Sequence, residues 1–158
     1  MTDLPVDVIR SARRKRTSQA YATRGRVRVL IPAHLSASEE AAVVAELVQK
    51  VTRKLASETI DLESRAREVA QKYSLRAPTQ VLWSDRQNSR WGSCSPESGT
   101  IRISSRLTGM PEWVLDWVLV HELAHLEVAH HGVEFKKLVS RYELAERAEG
   151  YLIAKSEG

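Results

Sequence analysis

The chain has 158 residues, Lys+Arg 24 against Asp+Glu 20, a net charge of +4 and one cysteine. That length suits a single domain with a real core, and no run approaches the ~18 apolar residues of a membrane helix. A lone cysteine allows no internal disulfide, and Met1 to Asp7 carries aspartates where a secretory leader has its apolar stretch, so a reducing cytoplasm without membrane association is expected.

In chain order, positions 1–32 read as a basic β-hairpin. One strand is expected near 17–23 and another near 26–31, with Gly25 at the turn. Between positions 8 and 38 lie eight basic residues (Arg10, Arg13, Arg14, Lys15, Arg16, Arg24, Arg26, Arg28) and no acid. Such an arm can attract a nucleic acid, a nucleotide or an acidic protein. The plainer reading is a solvated hairpin whose arginines keep an edge strand from aggregating. It is favoured because Tyr21 is the only interleaved aromatic, and base stacking would be weak.

His34 is expected at the surface. Ser36 with Glu39 forms a capping box, behind which Ala41, Val44, Leu47, Val48, Val51 and Leu55 recur at helical spacing. Asp61 caps a second helix reaching about Tyr73, and Pro78 marks its exit. Thr79 to Trp83 alternates like a strand. Asn88 to Ser95 then reads as a loop feeding a strand over 99–103. From Trp113 to Val120 the chain is apolar on almost every face, a buried helix with Pro111 at its start. Phe135 to Tyr142 and Ala145 to Ala154 are further helical stretches. The sum is one α+β domain over 1–158, a small sheet packed on helices, with 78–145 as its functional core.

The buried helix runs into His121, Glu122, Leu123, Ala124 and His125, an HExxH motif, and His131 follows six positions later. Residues four apart share a helix face, so His121 and His125 can place both imidazoles on one Zn²⁺. Glu122 lies about 100° further round and can act on water without taking a coordination position. Three protein ligands with an open fourth position mark a catalytic zinc. The bland alternative is a core helix with two satisfied histidines.

In an unbroken helix His131 would sit about 15 Å further along the axis. The helix must therefore end between 126 and 130, with Gly132 as a joint. His131 is the preferred third ligand. His130 is the competitor, although a continued helix would point it about 180° away. Glu127 and Glu134 have ligand chemistry but read as solvated helix-face residues. The expected chemistry is metal-assisted hydrolysis with Glu122 as general base, and peptide bonds are the default substrate.

Arg90-Trp91-Gly92-Ser93-Cys94, then Ile101, Leu107, Pro111, Asp116, the HELAH run at 121–125, His131 and Phe135 resemble the YgjP-like metallopeptidase-domain family, akin to the WLM and SprT-like minimal zinc proteases. The resemblance covers most of the chain, with its specific motifs confined to about 88–135. It implies a compact zincin-like α+β domain with zinc on His121, His125 and His131 and Glu122 as catalytic base. Trp117, Lys136 and His130 stand where the family usually has Tyr, Trp and Asn. Val128 replaces the turn glycine of metzincins, against that subclass.

Arg90 is either an ion-pair residue, with Asp116 as the candidate partner, or a contact to an oxyanion or a substrate carboxylate. Trp91 reads as a core or cleft-wall aromatic, and Cys94 as a small buried thiol. Strand 100–104 is expected to line the cleft and take an extended peptide or protein substrate by β-addition. Two further readings compete with a zinc peptidase. One is a nucleotide or phosphoanhydride hydrolase aided by the basic arm. The other is a nucleic-acid-binding module with a structural zinc.

Overall fold

The computed structural model describes residues 3–157, and the chain forms two compact units, Met1–Ala56 and Ser57–Gly158. In the first, strands β1 (Val6–Ser11), β2 (Gln19–Thr23) and β3 (Arg26–Pro32) precede helix α1 (Ala37–Thr59). The sheet order is β1-β3-β2, with β2 antiparallel and β1 parallel to β3. The expected hairpin is present. Arg24 and Gly25 take φ of 48° and 73°, the paired left-handed residues of a tight two-residue turn.

β1 leaves no local signal in the sequence. It pairs at long range with no turn to announce it, so the basic region is a three-stranded sheet. Along β3, Val27, Val29 and Ile31 are fully buried while Arg26 and Arg28 stay outside, the alternation of a half-buried strand. Val44, Leu47, Val48 and Val51 of α1 pack on those three residues. The predicted capping box closes the start of α1: Glu39 N–H donates to Ser36 Oγ at 3.3 Å, and Ser36 N–H donates to Glu39 Oε2 at 2.8 Å.

The second unit contains α2 (Leu62–Lys72), β4 (Gln80–Ser84), β5 (Gly92–Ser95), β6 (Thr100–Ser104), a 3₁₀ turn (Ser105–Gly109), α3 (Glu112–His125), α4 (Val133–Val139) and α5 (Ala145–Glu157). Asp61 caps α2 as expected, accepting from Ser64 N–H at 3.1 Å. The sheet order is β4-β6-β5, with β4 parallel and β5 antiparallel to β6. This corrects the expected peptide-binding edge. β6, the strand at 100–104, is paired on both sides and has no free edge, whereas β5, read as loop from sequence, is an outer strand.

α3 is the centre of this unit. Val114, Leu119, Val120 and Leu123 are essentially inaccessible, as are Ile101 and Ile103 beneath them. Burial on every face explains why the sequence here shows no polar stripe. A bidentate ion pair ties α2 to it: Arg65 Nε and Nη2 donate to Asp116 Oδ1 and Oδ2 at 2.7 and 3.1 Å. Asp116 is thus taken by Arg65, and the suggested pairing with Arg90 is absent. Because the pair is part-buried, Arg65→Ala leaves a carboxylate poorly solvated. The expected loss is about 2 kcal/mol of stability, read as a lower denaturant midpoint; an unchanged midpoint would mean solvent fully replaces the guanidinium.

Candidate metal centre

α3 ends where the sequence requires. Leu126 N–H bonds back to Leu123 O, and Glu127 and Val128 N–H bond to Ala124 O, after which the chain reverses into α4. The reversal returns His131 to the last turn of α3. Its ring centroid lies 5.3 Å from that of His121 and 4.7 Å from that of His125, and His121 and His125 are 4.9 Å apart. One nitrogen from each ring lies within 4.8 Å of the others. Nitrogens sharing a tetrahedral ion at ~2.0–2.1 Å are roughly 3.4 Å apart, so small side-chain rotations close the set.

Donor chemistry supports the fit. His125 Nδ1 is 3.1 Å from Val128 O; with its proton there, the ring presents a bare Nε2 toward His131 Nε2 at 3.0 Å. Burial holds the His125 imidazole below its ordinary pKa, in the neutral form that a metal needs. His121 Nδ1 likewise faces Glu122 Oε1 at 3.2 Å, which frees its Nε2. Phe135, buried on α4, packs against all three rings at centroid distances of 5.1, 4.4 and 4.8 Å. In the sequence Phe135 is a motif match and the start of a helical stretch; in the fold it is also the plate against which the three rings are oriented.

Glu122 is 5% exposed, and β5 backs its side chain. A Cβ on Gly92 would lie 2.8 Å from Glu122 Cγ and 3.0 Å from Oε1, so this glycine is needed for close approach. Among the described residues the histidine cluster comprises His121, His125 and His131. His130 is exposed and outside it. Glu127 accepts from Arg76 N–H at 3.3 Å and Glu134 pairs with Lys137 at 3.3 Å. Cys94 also stands apart. Burial, then the nearby Glu122 charge, pushes its thiol up to about 11, which disfavours the thiolate that a metal would require. Arg90 and Trp91 line a cavity of about 410 Å³ that also contains His121 and Glu122, so Trp91 is a cleft-wall aromatic as expected.

An HExxH helix beside a mixed three-stranded sheet, with a third imidazole returned by the following reversal, defines a zincin-like α+β metallopeptidase scaffold. The chain belongs to the YgjP-like metallopeptidase-domain family, whose model matches residues 10–145. The fold resembles that of the metallopeptidase zymogen abylysin of Pyrococcus abyssi, with 23% identity, a TM-score of 0.53, and coverage of 60% of this chain and 93% of that one. It also resembles the metallopeptidase zymogen jannalysin of Methanocaldococcus jannaschii, with 18% identity, a TM-score of 0.51, and coverage of 61% and 98%. No curated protein matches the chain at comparable significance. No helix among the described residues is long and apolar enough to cross a membrane.

Proposed function

We propose that the chain is a zinc-dependent peptidase in which His121, His125 and His131 hold the ion and Glu122 is the general base. The observation that carries this reading is the convergence of three imidazoles, one of which, His121, lines a cavity wall together with the buried carboxylate of Glu122. When bound, the ion supplies Lewis acidity, making water a nucleophile near neutral pH. Glu122 takes the proton from the attacking water as the new C–O bond forms at the peptide carbonyl. It then passes that proton to the nitrogen as the C–N bond breaks. Gly92 keeps the carboxylate in place from behind. The free edge of β5 next to Glu122 suits an extended peptide added as a further strand.

Charge supports peptides over polyphosphates. The cavity walls carry Glu122, Glu149 and Glu157 against Arg90 alone, a poor setting for several phosphates. The lone cysteine supports a reducing compartment, the cytoplasm. The test is cleavage of an unbiased peptide library by the full chain loaded with zinc. Cleavage is expected to stop on chelation and return when zinc is restored. Nucleoside triphosphate hydrolysis without peptide cleavage would overturn the substrate assignment.

A further inference from the structure

The cavity that adjoins the histidine cluster through His121 and Glu122 has three walls: α3, the Arg90–Gly92 segment, and α5. The family match ends at residue 145, where α5 begins, so the third wall belongs to this chain outside the matched region. One face of α5 is anchored, with Ala148 and Leu152 buried and Tyr151 edge-on to Trp113 at 5.5 Å. The adjacent stripe, Glu149, Ile153, Ser156 and Glu157, follows helical spacing and faces the cavity. In the middle of that polar stripe Ile153 is 53% exposed. Its apolar surface meets the cavity in place of a protein core.

We propose that α5 is the specificity wall of this centre: Leu152 and Ile153, with Trp91, Trp117 and Val118, receive one bulky apolar side chain of a peptide next to the scissile bond. The proposal rests on the peptidase reading and names its substrate class. His121 and Glu122 belong to the same cavity walls, so a side chain seated there neighbours the reacting carbonyl. A volume of about 410 Å³ admits an aromatic group together with flanking backbone. The Trp91 wall is braced by its own contacts. The Arg106 guanidinium stacks 3.9 Å from the Trp91 ring centre, while its Nη2 donates to Arg90 O at 3.0 Å and its Nε to Ser104 Oγ at 3.1 Å. Glu149 and Glu157 at the same walls repel an acidic side chain, and the apolar surfaces leave a small polar one without partners.

The test uses capped pentapeptides identical except for Phe, Leu, Ala or Asp at one position beside the cleaved bond. Both kcat/KM and binding are measured, binding by tryptophan emission, because Trp91 and Trp117 line the cavity. The zinc-loaded full chain should prefer Phe or Leu over Ala by at least about tenfold, with Asp poorest. Ile153→Asp, at an exposed position that spares the core, should weaken binding and cleavage of the Phe peptide at least about tenfold and the Ala peptide less than about twofold. Equal handling of Phe and Ala, no binding of either, or unchanged discrimination in Ile153→Asp overturns the proposal. Phe-over-Ala binding without any cleavage upholds the pocket and defeats the peptidase reading. Cleavage without discrimination does the reverse.

Discussion

Glu122→Gln is expected to lower kcat for peptide hydrolysis by about 10²–10⁴, the usual worth of a general base, with bound metal and thermal stability nearly unchanged. The side chain is 5% exposed and backed by Gly92, so the replacement must be isosteric for the result to report chemistry. Glutamine meets that condition. Its amide oxygen can still accept from His121 Nδ1, the contact now made by Oε1 at 3.2 Å, so the first imidazole keeps its tautomer. What disappears is the ability to take a proton. The loss should fall on kcat with little change in KM. Metal content, determined by elemental analysis on the same samples, separates the two roles open to this carboxylate. If activity and metal fall together, Glu122 acts by orienting His121, and the base must be sought elsewhere.

How much of this was legible beforehand follows the range of the interactions involved. The α3 helix, its start at Pro111 and its end near residue 126 follow from local apolar content and from the demand that His131 turn back. The Ser36–Glu39 and Asp61 caps are local hydrogen bonds written in three or four residues. The turn at Gly25 is equally local. β1 and β5 were not legible because their partners lie far along the chain or across a loop. Val6–Ser11 reads as a strand only once β3 is beside it. Gly92–Ser95 consists of small residues with no alternation of its own. That gap had a cost for the site. Without β5 the strand at 100–104 looked like an edge, and Gly92 looked like a turn residue rather than a position left bare for Glu122. The α5 wall was equally hidden, since Glu149, Ile153 and Glu157 form a stripe that means nothing until α3 faces it.

Metal retention discriminates between the two adjacent histidines that the sequence alone left in competition. His131→Ala should weaken zinc binding by more than the ~10–100-fold typical of losing an outer partner, because it removes one of three converging imidazoles. The effect should be specific to the metal. His131 is exposed on the reversal between α3 and α4, so truncation creates no core cavity, and metal-free stability should change by no more than about 0.5 kcal/mol. His125 and Phe135 would remain stacked at 4.4 Å, preserving the floor of the site for the two remaining rings. His130→Ala is the matched control. Its side chain is exposed and outside the cluster, so zinc affinity and hydrolysis should both stay at the level of the parent chain. Competition against a zinc-chelating dye measures both variants on one scale. A loss from His130→Ala with none from His131→Ala would mean that the reversal after Leu126 moves on loading and hands the third position to His130.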